Sequence, residues 1–299
     1  MFLHKMNIIG IDYGNYSSYV SKIENNNTKI ILSPSSNRYF KNIISFKEKT
    51  YFDTEAENFY ISNYKNNILN HKVIMNFSNY KKLNEYNDFF DKINENLFNN
   101  QLIKGSVELE NKEKYRIEQI MALNINNLIN TDKNSNIFFA VPDYYNTFQR
   151  KQVLDAFRII EYENIELVNE TDIISTKYGF YNYINKQENK RVLFIDFGDT
   201  HISCFITNFE NNGYEIENYE YDISVGGLFI DILITNYIEQ KINEKFNTKE
   251  LDFKYKLKIM KESEKIKKNL NLNQDSFFKK ECFYNEQDVN IQIKQETFK

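Results

Sequence analysis

The sequence predicts an α/β protein of two related halves, each a sheet that passes through a glycine turn into further sheet and then helices. Two acid-tipped corners mark the halves. The apolar run Asn7-Ile-Ile-Gly-Ile ends in Asp12-Tyr-Gly14, and the run Val192-Leu-Phe-Ile ends in Asp196-Phe-Gly198. Each reads as a buried strand that delivers a carboxylate and then a glycine permitting a tight turn. Carboxylates at such a turn suit a hydrated magnesium ion, and backbone N–H groups there suit phosphate oxygens. Strands ending in Asp-x-Gly are also common punctuation, so one corner alone says little. The pair points to nucleotide binding.

The elements follow in order. Strands are expected near Asn7–Asp12, Ser18–Ile23 and Lys29–Leu32, with Asn25-Asn26-Asn27 as turn residues. From about residue 39 to 116 the chain is polar, rich in Asn, Lys and Tyr, and weakly periodic, as expected of an inserted subdomain of short helices and strands. Ile117, Ile120, Met121, Leu123, Asn124 and Leu128 then place mostly apolar residues on one helical face. A strand Ile137–Val141 stops at Pro142 and a helix spans Gln149–Ile160; a strand Ile165–Val168 is followed by a helix over about Asp172–Tyr183. Lys186–Arg191 reads as a linker, so that residues 1–190 form lobe I and residues 191–299 lobe II. Lobe II opens with a meander from Arg191 to Ile223, and Gly226-Gly227 begins a helix. Helices at about Leu228–Phe246 and Leu251–Leu270 come next, and the alternation from Phe277 onward suggests short strands.

Composition excludes several classes. At 299 residues the chain can bury a core large enough for two lobes. Its net charge of −4, with acids and bases intermixed, leaves no basic face for nucleic acid and no polybasic membrane anchor. No apolar run approaches the roughly 18 residues needed to span a bilayer, and the first residues carry no signal-peptide core. Cys204 and Cys282 lie far apart, as in a reducing compartment, and His4, His71 and His201 have no metal-ligand spacing with them. A cytoplasmic protein is expected. The heavy use of Asn, Lys, Ile, Tyr and Phe, with only 8 Gly and 2 Pro, reads as codon bias and weakens propensity arguments.

Several segments, in this order and spacing, resemble the nucleotide-binding domain of the heat shock protein 70 family, and more nearly its heat shock protein 110 branch. Gly10-Ile-Asp12-Tyr-Gly14-Asn15-Tyr16-Ser-Ser18 is similar to the family's first phosphate loop. Val141-Pro142 through Gln149-Arg150 is similar to its Val-Pro-x-Tyr-Phe-x-x-x-Gln-Arg segment, and Asn169-Glu170 with Tyr178-Gly179 to its Asn-Glu and Tyr-Gly. Asp196-Phe-Gly198 falls at the second phosphate loop, Gly226-Gly227 with Asp231 at the Gly-Gly element, and Ser263-Glu264-Lys-Ile-Lys267-Lys268 at the adenosine-contacting helix. The likeness runs from Asn7 to Phe298.

The resemblance implies an actin-like ATPase (ribonuclease H-like) fold, two lobes flanking a nucleotide cleft, the second lobe incomplete because no second adenosine loop or closing helix is found. It implies ATP or ADP with magnesium as ligands. Asp12 and Asp196 would hold the metal through water, with Glu170 in that shell, and Lys72 would position the attacking water. Glu264, Lys267 and Lys268 would border adenosine. Gly14, Asn15 and Tyr16 belong to the first loop; Gly14, Gly198, Gly226 and Gly227 would let backbone approach phosphate. Such chemistry rests on positioning and charge neutralisation. Plainer alternatives stand beside these roles: Lys72 as a solvated charge, Glu170 as an ordinary helix N-terminal acid, Gly226-Gly227 as turn chemistry, Glu262–Lys268 as a solvated helix face, His201 as a strand residue.

Departures from the family pattern point to weak hydrolysis or none. Asp199 puts a carboxylate where phosphate should meet bare backbone, and His201 and Ser203 stand where the family has a hydroxyl and a carboxylate. The expected function is therefore a co-chaperone and nucleotide-exchange factor, assisting protein folding in the stress response, with a heat shock protein 70 chaperone and unfolded clients as partners. The alternatives are an active chaperone ATPase and a nucleotide-free remnant that binds partners only.

Overall fold

A mixed sheet, three of whose strands run parallel and end in polar residues, anchors the first half of this computed structural model, which describes residues 7–78, 87–103, 106–129, 133–184, 190–210 and 213–298. β1 (Ile8–Tyr13), β2 (Ser17–Glu24), β3 (Asn27–Ile30) and β4 (Phe40–Lys41) come first. Small elements follow: β5 (Ile44–Phe46), β6 (Thr50–Phe52), α1 (Asp53–Glu57), β7 (Asn67–Ile68), α2 (His71–Ser78), α3 (Asn87–Phe98), β8 (Leu102–Ile103), β9 (Ser106–Glu108) and β10 (Lys114–Arg116). Next are α4 (Ile117–Leu128), β11 (Asn136–Val141), α5 (Thr147–Ile159), β12 (Ile165–Asn169) and α6 (Glu170–Ile184). The remainder is β13 (Lys190–Phe197), β14 (Ile202–Glu210), β15 (Gly213–Asp222), α7 (Gly227–Phe246), α8 (Phe253–Leu272), β16 (Asp275–Tyr284) and β17 (Gln287–Lys294).

The main sheet runs β12-β11-β1-β2-β3, with β4 also paired to β2, so it reaches residue 41. β1, β11 and β12 are mutually parallel, and their carboxyl ends emerge together. Asp12 lies level with Ala140, and Val141 with Asn169. Open α/β sheets bind ligands at that edge. The polar stretch between residues 39 and 116 resolves into two three-stranded sheets, β6-β5-β7 and β10-β9-β8, with short helices. The expected linker falls on residues 186–189, outside the described residues, and on Lys190–Arg191, which already pair in β13. The final segment forms one long hairpin, β16-β17, in place of short strands.

A buried polar network braces the first corner. Asn42 donates through Nδ2 to the Gly14 carbonyl at 2.7 Å, and its Oδ1 accepts from Ser18 at 2.9 Å and Asn124 at 2.8 Å. Asn124 also donates to the Tyr13 hydroxyl at 3.1 Å, which shares a 2.6 Å hydrogen bond with His71 Nδ1. This explains a polar residue on the inner face of α4: buried amides are retained where they satisfy one another.

Burial lowers the His71 pKa to about 4. The unfolded chain takes up that proton near 6.5 and the folded one only near 4. The stability from neutral His71 is therefore complete above pH 6.5 and lost as pH falls toward 4, the loss reaching about 2 kcal/mol at pH 5. Asp231, raised to about 6 by burial despite Lys267, acts in the opposite sense over part of that window. Comparison with His71→Gln isolates the histidine. Its deficit in urea unfolding at pH 7 should shrink by about 2 kcal/mol at pH 5; a constant deficit would refute the assignment.

One face of β13-β14-β15 packs under α6 through Phe194, Phe205, Phe209 and Tyr178. The opposite face carries Leu193, Ile195 and Phe197, which are 60%, 63% and 52% exposed, across from Ile206, Cys204 and Ile202. A second core joins α7, α8 and the terminal hairpin through Ile238, Ile259, Phe278 and Ile293.

Candidate functional site

Both acid-tipped corners open into one cavity of about 1210 Å³. Asp12, Gly14, Asn15 and Tyr16 line it from the first corner, Asp196, Gly198, Asp199, Thr200 and His201 from the second, with Lys72 and Glu170 between. The cavity continues over an apolar floor that includes Tyr19, Ile30, Phe138, Ile173, Phe180 and Phe197. Gly14 is required by its turn, since a Cβ there would lie 2.4 Å from the Ser17 carbonyl oxygen.

Lys72 is not a solvated charge. It is buried at the start of α2, and its Nζ lies 3.0 Å from Glu170 Oε1. Burial alone would lower its pKa, but Glu170, Tyr144 and Asp12 outweigh that and raise it. Burial likewise pushes Glu170 up, yet Lys72 and His201 prevail and hold it down at about 2. Burial raises Asp12; Lys72 opposes this, and the charges of Glu170 and Asp196 reinforce it. Three carboxylates thus face one ammonium, leaving a negative excess suited to a divalent cation.

Neighbouring segments fix Glu170. Asn146 caps α5 by accepting from the Gln149 backbone N–H at 3.0 Å, and Arg150 reaches back to donate to Asn169 Oδ1 at 2.8 Å. Asp143 accepts from the Thr171 hydroxyl at 2.5 Å and its N–H at 3.2 Å, which anchors the first turn of α6. The Val141–Arg150 segment is therefore scaffolding for the acid at the end of β12.

Asn15 ties the corners together. Its Nδ2 donates to Asp199 Oδ2 at 2.7 Å and to Asn70 Oδ1 at 3.0 Å. Burial raises the Asp199 pKa, while Asn15 and Lys267 pull it down. The N–H groups of Gly227 and Leu228 donate to the carbonyls of Gly198 (3.1 Å) and Asp199 (2.9 Å). A Cβ on Gly226 would come within 2.4 Å of the Asp199 carbonyl oxygen. Here Gly226-Gly227 lets α7 abut the second corner, and neither glycine lines the cavity.

Glu264, Lys267 and Lys268 are not among the residues that line the cavity. Lys267 donates to Asp231 Oδ2 at 2.7 Å and to the Gly227 carbonyl at 2.9 Å, and Lys268 pairs with Glu264 at 2.6 Å. Burial first, then the Glu264 charge, raises the Tyr16 phenol. α7 and α8 are joined by the 2.9 Å hydrogen bond between Thr235 and Ser263.

Sequence reasoning did not single out Tyr144, whose partly buried ring meets His201 in a T-shaped contact at 5.3 Å and stacks on Tyr221 at 4.9 Å. Nor did it give His201 a place in the site. His201 sits just before β14, and its Nε2 lies 3.7 Å from Glu170 Oε2. Local patterning carries no signal for either contact, because both depend on α6 docking beside the second corner.

The family described as Hsp70 protein matches residues 8–299. Similar relatives include a heat shock protein homolog of Eremothecium gossypii, 27% identical over 96% of this chain and 43% of the relative. Heat shock 70 kDa protein 14 of Arabidopsis thaliana is 27% identical over 98% of this chain and 36% of its own length. Heat shock protein 110 of Caenorhabditis elegans is 24% identical over 98% and 40%, respectively. The chain thus spans 36–43% of the length of these relatives.

Proposed function

The chain belongs to the heat shock protein 70 family, and from that premise we propose that it is an ATP- and ADP-binding co-chaperone of the 110 type, acting in the cytoplasm during stress. Residues 1–190 and 191–299 serve as its two lobes. Nucleotide closes them, and the closed form engages a heat shock protein 70 chaperone, promotes ADP release and so assists folding of unfolded clients. The observation that carries this reading is the meeting of Asp12, Lys72, Glu170 and Asp196 in a cavity spanned by Asn15 and Asp199.

The residues fit a magnesium ion, since three carboxylates converge with one ammonium among them. Asp12 and Asp196 would hold it through water, with Glu170 beside them; when bound it neutralises phosphate charge and orients the oxygens. The chain's own groups do the rest. Lys72, oriented by Glu170, offers its remaining protons to a terminal phosphate. Gly14 and Gly198 leave the corners bare of side chains. Glu264, Lys267 and Lys268 back the adenosine end of the cleft.

Weak hydrolysis follows from this reading: the Asp199 carboxylate, held by Asn15, would stand against the phosphates, and the Lys72 ammonium is shared with Glu170. No helix among the described residues is long and apolar enough to cross a membrane, which is compatible with the cytoplasmic assignment. Titration of fluorescent ATP with magnesium should saturate below about millimolar, with little single-turnover hydrolysis, while stoichiometric protein should speed ADP release from a partner chaperone. Absence of saturable binding would favour a partner-binding remnant, and brisk turnover lost in Lys72→Ala would favour an ATPase.

A further inference from the structure

His201 is 4% exposed, and among the described residues neither ring nitrogen has a partner at hydrogen-bond distance, Nε2 standing 3.7 Å from Glu170 Oε2. A deeply buried imidazole with no protein group at hydrogen-bond distance is costly unless its nitrogens meet something else in the cavity it lines. Its setting holds it there. The ring makes a T-shaped contact with Tyr144, and a Cβ on Gly198 would be 3.3 Å from its Cε1, so the ring lies against the bare glycine of the second corner. The ligand atoms of His201, Glu170 and Asp196 all lie within 4.8 Å of one another.

We propose that Glu170, Asp196 and His201 form an inner-sphere site for a divalent transition ion of the zinc, cobalt or manganese kind. Tetrahedral ligands about 2.1 Å from such an ion stand roughly 3.4 Å apart, so the 3.7 Å between His201 Nε2 and Glu170 Oε2 needs little adjustment. Glu170 divides its oxygens: Lys72 holds Oε1, and Oε2 faces the imidazole. Lys72 thereby acts as the outer partner that orients a ligating carboxylate. Asp12, close enough to feel both Glu170 and Asp196, adds negative charge behind the site. Magnesium keeps its water and prefers oxygen, whereas imidazole with carboxylates suits borderline ions. His201 thus gives this pocket a selectivity that three carboxylates alone would lack. The site needs no nucleotide, so it goes beyond the co-chaperone reading.

The test uses the full chain without nucleotide, with both free cysteines, Cys204 and Cys282, changed to serine in every arm to remove thiolate binding. Cobalt(II) alone should produce visible ligand-field bands of a nitrogen-ligated ion at one equivalent, bleached by zinc(II) and unaffected by excess magnesium. Zinc calorimetry should show His201→Asn and Asp196→Asn each weaker by about tenfold or more, with circular dichroism confirming that the variants remain folded. Two variants on opposite sides of the ion guard against failure of one to fold. Unchanged zinc affinity in both folded variants, or cobalt bands abolished by magnesium, would overturn the proposal. Asp196 also serves the magnesium reading, so the two are separated at His201: His201→Asn that loses zinc but keeps magnesium–ATP binding supports this site, and a wild type that binds magnesium–ATP but no zinc overturns it and leaves the nucleotide reading standing.

Discussion

Asp199→Gly is expected to tighten ATP binding by about ten- to a hundredfold. Two like charges about 4 Å apart at an effective dielectric near 20 repel by about 4 kcal/mol, and solvent in an open cleft reduces that to the 1.4–2.7 kcal/mol these factors represent. The substitution also removes the acceptor for Asn15, so the corners lose their mutual hydrogen bond. Asn15→Ala separates the two effects, because it unties the corners and leaves the carboxylate in place. Titration with fluorescent ATP should show a large gain for Asp199→Gly and none for Asn15→Ala. Equal affinities for wild type and Asp199→Gly would mean that phosphate does not approach the second corner.

Lys72→Met is expected to destabilise the fold by about 3–5 kcal/mol, the cost of leaving a buried carboxylate without its counter-charge. Glu170 would then share its pocket with Asp12 and Asp196 and no ammonium. The double variant Lys72→Met/Glu170→Gln should recover most of the loss in urea unfolding, since removing both partners of a buried pair is far less costly than removing one. Residual ATP turnover should disappear in both. A single variant as stable as wild type would mean that Glu170 finds another partner or takes up a proton.

Both corners and nearly every long element were legible from alternation and turn chemistry. β1 was expected at Asn7–Asp12 and spans Ile8–Tyr13; α4 and α7 begin within a residue of expectation. Those runs bury one face, and burial enforces period. The stretch between residues 39 and 116 was opaque because its strands are two or three residues long, too short to display a period. Lys72 was reachable only through family resemblance, since one lysine in a Lys-rich chain has no local mark. The Asn15–Asp199 bond joins residues 184 positions apart. His201 could not be placed from its surroundings in sequence, for Glu170, which faces it, belongs to another element.

The uncovered side of the β13–β14–β15 sheet bears on how the molecule behaves in company. Leu193, Ile195 and Phe197 form a greasy stripe on a strand whose outer backbone edge has no partner among the described residues. Water is a poor neighbour for such a stripe, and another sheet or a helix laid across it would be a better one. The same ribbon is therefore where another chain would be expected to settle, and a concentration series in any measurement of the cleft would reveal it.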